Sequence, residues 1–387
     1  MRIALYGGSF NPPHLGHREA AMTVYKELQP DIFLIIPDNI PPHKDMEEGS
    51  PDAWQRLELC RLAFRDVPGA EVTDLELRRE GKSYTAETVS ALRQRYPEDE
   101  LLLVMGTDML LSFEEWYRFE YLLQSCTLAV LAREELEGEA LREHAAYLTE
   151  RYGAQIQILN HEPLPMQSRD IRQRLKLRLC ADQLDDRVYH WIIRNGYYDA
   201  LPELSWLREK AYVYLDEKRI GHVAGCESEA VMLAKHWGED PEIAATAGIL
   251  HDITKKLDAE DQLNLCRKYG IICDNAERSN PKLLHAKTGA ARARDLFGIS
   301  DAIYEAIRWH TTGKPDMTLL EKIIYLADFI EPTRDFPGVE ALRELAYEDL
   351  NQAMALGLRM SLEEIRSNGR EPYPDTVEAY KWYSEET

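Results

Sequence analysis

The segment Gly7-Gly8-Ser9-Phe10-Asn11-Pro12-Pro13-His14-Leu15-Gly16-His17 follows directly on a short apolar run, Arg2–Leu5, and leads into Arg18–Leu28, where apolar residues recur at helical spacing. A strand that passes through glycines into a helix brings close-approaching backbone and the positive end of the helix to one point, where a polyphosphate can be held. Two histidines three residues apart at that point can face the same anion and donate hydrogen bonds to its developing charge. A glycine-rich turn whose histidines merely cap a helix is the bland alternative. Neither the P-loop nor the dinucleotide-binding glycine pattern is present, so ordinary ATPase and dehydrogenase readings lose ground.

Outward from this segment, short apolar runs alternate with helix-length periodic stretches, the pattern of a parallel sheet covered by helices on both faces. Candidate strands are Arg2–Leu5, Ile32–Ile36, Glu71–Leu77, Glu100–Met105, Thr127–Leu131 and Gln155–Ile158. Helical stretches include Arg18–Leu28, Asp52–Arg65, Thr85–Arg95 and Phe119–Leu123. Strand signals stop after Asn195-Gly196, and from Leu204 onward the chain reads as helix, loop, helix. Asp240 is a suitable N-cap with Pro241 at the first helical position, and Gly238 and Gly298 sit where helices should end. The expected architecture is therefore a doubly wound, Rossmann-like α/β domain over residues 1–200, then an all-α bundle over residues 204–387.

The length of 387 residues suits two such domains, each able to bury a core, and 44% hydrophobic with 29% charged residues is an ordinary globular composition. No secretory signal or membrane-spanning run is visible. The six cysteines are scattered without a C-x-x-C pair, which suits reduced thiols and a cytoplasmic location. With 68 acidic against 46 basic side chains, the net charge of −22 disfavours nucleic acid polymers as partners. Small phosphorylated ligands remain compatible, because local cations or helix N-termini can overcome the global field.

The string ending in His14-Leu15-Gly16-His17 resembles the H-x-G-H signature of the nucleotidyltransferase superfamily. Ile40-Pro41-Pro42-His43-Lys44, Ser83-Tyr84-Thr85, Gly106-Thr107-Asp108 and Trp116-Tyr117-Arg118 narrow the resemblance to the bacterial nicotinate-nucleotide adenylyltransferases, over roughly Met1 to Asp199. The resemblance implies transfer of AMP from ATP, carried with Mg²⁺, to nicotinate mononucleotide, giving nicotinate adenine dinucleotide and pyrophosphate without a covalent enzyme intermediate. It implicates His14 and His17 in catalysis, and Thr85 and Trp116 in holding the nicotinate ring. It further implicates Gly8, Ser9, Phe10, Lys44, Gly106, Asp108 and Arg133 in nucleotide binding. Without the resemblance, packing is the better reading of Trp116. The late phosphate motif of the family reads I-S-S-T-x-I-R, whereas this chain has Met166-Gln167-Ser168-Arg169-Asp170-Ile171-Arg172. Ser168 and Arg172 stay in register as a phosphate clamp, and Arg169 departs from it.

In the helical half, His222, His251-Asp252, His285, His310 and Asp328 form an ordered series of potential metal ligands. Imidazole with carboxylate suits a divalent or ferric ion, and Asp252 can bridge two metals while His222 and Asp328 complete one shell and His285 and His310 supply the other. His144, His161, His190 and His236 take the ordinary reading of packed residues. Leu250-His251-Asp252-Ile253-Thr254-Lys255, His310-Thr311-Thr312-Gly313 and Ala327-Asp328-Phe329-Ile330-Glu331-Pro332-Thr333-Arg334 together resemble the HD-domain symmetrical diadenosine tetraphosphatases. That resemblance implies a di-iron centre hydrolysing diadenosine tetraphosphate to two ADP. Lys255 and Arg334 are candidate phosphate contacts, or equally solvated surface charges. The ligand set alone also admits manganese, cobalt or zinc. A rival of another class makes this half a nucleotide-sensing module, or a phosphohydrolase for another nucleotide, and assembly into oligomers stays open.

Overall fold

The computed structural model describes residues 1–42, 46–132 and 138–385. These form two compact units, Met1–Leu201 and Pro202–Thr387.

In the first unit the elements run β1 (Arg2–Gly8), α1 (Leu15–Leu28), β2 (Ile32–Pro37), α2 (Ala53–Ala63), β3 (Ala70–Val72), α3 (Thr85–Arg95), β4 (Glu100–Gly106), α4 (Thr107–Leu111), α5 (Phe119–Ser125), β5 (Thr127–Ala132), α6 (Gly138–Tyr152), β6 (Gln155–Asn160), α7 (Ser168–Leu175) and α8 (Asp186–Asn195). The strands form one parallel sheet in the order β3-β2-β1-β4-β5-β6. Successive side chains of a strand point to opposite faces, and here both faces are covered, which is why the strands are apolar without alternation. Ile3 and Leu5 of β1 join Leu103, Val89 and Leu92 in one buried cluster, while Ala4 between them is equally buried. The chain reverses its direction of travel across the sheet between β1 and β4, and in such sheets ligands bind at the carboxyl ends of the strands at that point.

One expectation needs correction. The strand read as Glu71–Leu77 is only Ala70–Val72. Its last contact is the Thr73 N–H donating to the Ile35 carbonyl (3.0 Å). Beyond that the neighbouring strand ends at Pro37, which has no N–H with which to continue the ladder. Residues 74–79 instead turn on themselves, with the Arg78 N–H donating to the Asp74 carbonyl (3.2 Å).

The second unit is helical: α9 (Leu204–Tyr212), α10 (Glu217–Trp237), α11 (Pro241–Leu250), α12 (Ala259–Tyr269), α13 (Asn275–Ser279), α14 (Leu284–Phe297), α15 (Asp301–Trp309), α16 (Leu319–Ile330), α17 (Val339–Glu348), α18 (Leu350–Ser367) and α19 (Pro374–Glu385). Every residue of α11 from Ala244 to Leu250 is buried, so apolar and small side chains surround it on all sides and it forms the centre of the bundle, packed on α10, α15 and α16. Caps fix where the helices begin: the Asp216 carboxylate accepts from the Arg219 N–H (2.9 Å), and the Asp240 carboxylate accepts from the Glu242 N–H (2.8 Å). The long chain through α11 ends at Leu250, so His251 and Asp252 leave from a helix terminus.

Candidate functional sites

In the first unit β1 delivers Gly8, Ser9 and Phe10 beside the start of α1. The buried Arg56 guanidinium staples this turn to the end of β2, donating to the Ser9 carbonyl (2.7 Å), the Asp38 carboxylate (2.8 Å) and the Asp38 and Asn39 carbonyls (2.8 and 3.0 Å). A buried cation costs less when its charge is paired in this way, and only Nε of this guanidinium lacks a partner among the described residues. Ser9 Oγ donates to the other Asp38 oxygen (2.7 Å). Phe10 adopts a positive φ of 45° and packs its ring edge-on to His17, with centroids 5.1 Å apart.

His14 is the N-cap residue of α1, and its ring lies 3.7 Å from that of His17. The His14 backbone N–H donates to His17 Nδ1 (3.2 Å), which makes Nε2 the protonated nitrogen of a neutral His17. Burial pushes the His14 pKa down to about 4, so it is neutral at pH 7. Its Nδ1 is buried and has no hydrogen-bond partner among the described residues. A Cβ at Gly16 would lie 3.0 Å from that nitrogen, so only glycine leaves the imidazole its place.

These histidines line a cleft of about 840 Å³, in the upper range for ligand sites and roomy enough for two nucleotides. On one side stand Ser83, Tyr84 and Thr85 at the start of α3, with Trp116 and Tyr117; the Tyr84 and Tyr117 rings are 4.8 Å apart. Gly106 caps α4, and Asp108 lies exposed in its first turn. On the other side is the segment after β6, with His161, Pro163, Leu164 and Met166. Ser168 opens α7, but its hydroxyl donates to the Pro12 carbonyl (2.9 Å). Arg172 donates to the Asn11 carbonyl (2.6 Å) and pairs with Glu47 (Nε to Oε2, 2.9 Å). Both therefore hold α7 against the glycine-rich turn. Lys44 and Arg133 lie outside the described residues.

In the second unit, α10 supplies His222, the end of α11 supplies His251 and Asp252, α14 supplies His285, the end of α15 supplies His310, and the last turn of α16 supplies Asp328. All six converge. His222 Nε2 is 3.3 Å from His251 Nε2 and 3.0 Å from Asp328 Oδ1; His285 Nε2 is 3.2 Å from His310 Nε2. Asp252 stands between the two groups. Its Oδ2 lies 3.4 Å from His251 Nε2 and 3.7 Å from His222 Nε2, while its Oδ1 lies 3.4 Å from His285 Nε2 and 3.6 Å from His310 Nε2.

Each imidazole is aimed by its other nitrogen. Nδ1 of His251 bonds the Gly248 carbonyl (2.7 Å), that of His310 the Ile307 carbonyl (2.6 Å) and that of His285 the Lys282 carbonyl. His222 Nδ1 bonds the Glu331 carboxylate (3.1 Å). This presents four Nε2 atoms to the centre, the arrangement in which outer partners orient metal-ligating histidines. A buried network of Thr254, Thr288 and Gln262 fixes the His251-Asp252 turn to the start of α14, with Thr254 Oγ1 donating to the His285 carbonyl (2.8 Å).

The donor set fits a metal. Burial alone would raise the Asp252 and Asp328 carboxyls, yet both are held well below the usual range, Asp252 by His251 and Asp328 by His222. His251, against its own burial, is drawn well above its usual value by Cys226 and Asp252. The cluster thus demands positive charge, and buried Asp252 Oδ1 lacks a hydrogen-bond partner among the described residues. His222, His251 and Asp328 make one tight group of ligand atoms, and His251, Asp252 and His310 another. Three cations ring it: Arg219 on Asp252 Oδ2 (2.9 Å), Lys255 on His285 Nε2 (2.9 Å) and Arg334 on Asp328 Oδ1 (2.7 Å).

Four residues escaped the sequence reading. Arg56, Arg219 and Glu331 act through partners far away in the chain; Arg219 left a trace three residues before His222 on the same helix face, and Glu331 stood in the Ala327–Arg334 motif with no role read for it. His161, read as an ordinary packed histidine, lines the cleft. No helix among the described residues is long and apolar enough to cross a membrane.

The cytidylyltransferase-like family model matches residues 5–174, and the HD-domain model matches residues 219–333. A Carboxydothermus hydrogenoformans protein named "Probable nicotinate-nucleotide adenylyltransferase" is 36% identical over 198 residues, 51% of this chain and 98% of that one. A symmetrical bis(5'-nucleosyl)-tetraphosphatase of Bacillus subtilis is 38% identical over 169 residues, 43% of this chain and 90% of that one. A Mycoplasma pneumoniae protein named "Probable nicotinate-nucleotide adenylyltransferase/Ap4A hydrolase" is 26% identical over 370 residues, 94% of this chain and 98% of that one. With a histidine-lined cleft in one unit and an HD cluster in the other, the chain belongs in its first part to the nicotinate-nucleotide adenylyltransferases and in its second to the HD-domain symmetrical bis(5'-nucleosyl)-tetraphosphatases.

Proposed function

We propose that the chain is a bifunctional enzyme of nucleotide metabolism. The first unit transfers AMP from ATP to nicotinate mononucleotide; the second hydrolyses diadenosine tetraphosphate to two ADP. One observation carries the reading: each compact unit holds its own convergent site, a paired-histidine helix N-terminus on an open cleft and a buried cluster of four histidines and two aspartates.

In the transferase, the phosphate of nicotinate mononucleotide attacks the α-phosphorus of ATP and pyrophosphate leaves. The work is positioning and charge neutralisation. The His17 Nε2–H and the α1 N-terminus meet the transferred phosphoryl group, and His14 joins them as its partnerless Nδ1 gains an anion as neighbour. Thr85 and Trp116 hold the nicotinate ring. Arg172 turns from Glu47 to the polyphosphate. ATP brings Mg²⁺ with it.

In the hydrolase, His222, His251, Asp328 and Asp252 would hold one metal ion, and Asp252, His285 and His310 the second. Iron is the metal proposed, and when bound it supplies Lewis acidity toward the polyphosphate. Lys255, Arg334 and Arg219, each partly exposed, would exchange their carboxylate or imidazole partners for phosphate oxygens. Cytoplasmic operation is part of the proposal, since none of the six cysteines is in a disulfide.

The test is ADP release from diadenosine tetraphosphate by the metal-loaded protein and by Asp252→Ala, beside dinucleotide formation from ATP and nicotinate mononucleotide. Loss of the first activity alone in the variant is expected. A wild-type protein that binds metal and diadenosine tetraphosphate but releases no ADP would make the second unit a nucleotide sensor.

A further inference from the structure

His222, His251, Asp328 and Asp252 would give the first metal position of the hydrolase four protein donors, whereas Asp252, His285 and His310 would give the second only three. We propose that the Thr311 hydroxyl is the further protein donor of the second position, and that occupancy of that position depends on it. This rests on the two-metal reading of the cluster.

Three atoms make a nearly equilateral triangle. Thr311 Oγ1 lies 3.1 Å from His285 Nε2 and 3.2 Å from His310 Nε2, and the two nitrogens are 3.2 Å apart. Donor atoms about 2.1 Å from one ion and at right angles to each other stand about 3 Å apart, so these are the spacings of neighbouring ligands on a single ion. Asp252 Oδ1 adds a fourth corner, 3.4 and 3.6 Å from the same nitrogens, and it is buried with no hydrogen-bond partner among the described residues.

The placement of protons points the same way. Nδ1 of His285 and Nδ1 of His310 each face a backbone carbonyl, which only accepts, so each Nδ1 carries the proton and each Nε2 presents a lone pair. Lys255 Nζ donates to His285 Nε2 (2.9 Å), which leaves the single Thr311 proton for His310 Nε2. Once that ammonium turns to a phosphate oxygen, two imidazole lone pairs, a carboxylate oxygen and a hydroxyl oxygen stand together with one proton among them. A cation satisfies them all, and the hydroxyl oxygen has lone pairs to offer it.

The backbone holds Thr311 in place. α15 ends at Trp309, and the turn beyond it is closed by the Gly313 N–H donating to the Trp309 carbonyl (2.9 Å). Gly313 has a φ of 67°, and a Cβ there would meet Leu358 Cδ2 at 3.2 Å, so the turn that carries His310 and Thr311 lies close against α18. Thr311 is β-branched, and its few side-chain rotamers keep the hydroxyl beside the two imidazoles.

The test titrates the whole chain, stripped of metal by chelation and free of nucleotide, with Mn²⁺, and reads free and bound ion by electron paramagnetic resonance. Ions still bound by the double variant Asp252→Ala, Asp328→Ala are counted as lying outside the cluster. Wild type is expected to hold two ions with an exchange-coupled signal. Thr311→Val, equal in shape without the hydroxyl, is expected to hold one ion as wild type does and the second about tenfold or more weakly, with the coupled signal lost. Thr311→Ser is expected to restore both. Wild-type affinity for both ions in Thr311→Val overturns the inference and leaves the two-metal reading standing. Equal weakening of both ions also overturns it, because packing is then the role of Thr311. Fewer than two ions in the wild-type cluster removes the two-metal reading and the inference with it. If Thr311→Val does not fold, Thr311→Ala carries the decision with the same outcomes.

Discussion

Arg172 lies on Glu47 in a two-point ion pair, with its third donor on the Asn11 carbonyl (2.6 Å). The guanidinium assigned to the polyphosphate is thus already seated on a carboxylate, which competes with phosphate for the same fork. Glu47 is largely exposed, 46% on its side chain, and exposed pairs contribute about 0–1 kcal/mol. Glu47→Gln should therefore lower KM for ATP by at most about fivefold and leave kcat unchanged. Initial rates across ATP concentrations check this; a rise in KM would show that Glu47 supports the site.

His14 predicts a pH dependence. Its folded pKa, depressed by burial from 6.5 to about 4, means that the unfolded chain binds the proton more readily between those values. The stabilisation is complete above pH 6.5 and is lost as pH falls toward 4, with an upper bound of about 3 kcal/mol. His14→Gln should flatten that part of the stability curve, read by denaturant unfolding of both proteins at pH 7 and pH 5. An anion on the ring reverses the shift, so ATP binding near pH 6 should take up protons. Calorimetry in buffers of different ionisation enthalpy measures that uptake, and none at all would remove His14 from the phosphate site.

Glu331 is fully buried and orients His222, while its carboxylate also meets Thr333, whose N–H donates at 2.7 Å, and the Arg334 Nε at 3.7 Å. Outer partners of this kind change metal affinity by about 10- to 100-fold. Glu331→Gln should bind metal more weakly by that order while keeping its fold, seen in chelator competition followed by metal analysis. Gly225 lies beside the same carboxylate and leaves no room for a Cβ. Gly225→Ala should therefore reproduce the metal loss. Retention of wild-type affinity in both variants would place Glu331 outside the site.

Gly248 lets α11 approach α10 closely, because a Cβ there would lie 2.9 Å from Glu227 Cα, a backbone atom that cannot rotate away. Gly248→Ala should destabilise the helical unit by about 1–3 kcal/mol. In a thermal scan of the whole chain, the transition of that unit should move down while dinucleotide synthesis is retained. Unchanged unfolding would mean that α10 and α11 can part without cost.

The sequence by itself determined what short-range chemistry determines: buried strands as apolar runs, the helix start at Asp240, helix ends at Gly238 and Gly298, and the eleven-residue turn that places His14 and His17. It also displayed the six candidate ligands of the HD cluster, because metal chemistry restricts residue type wherever ligands fall in the chain. It could not show where β3 stops, since that depends on Pro37 in the neighbouring strand. Nor could it show what Arg56, Glu331 or Arg219 do. A buried guanidinium or a second carboxylate takes its role from whatever stands opposite, and those partners are 17 to 109 residues away. Only the tertiary structure brings them within hydrogen-bond reach, where distance and burial decide which charges are paired.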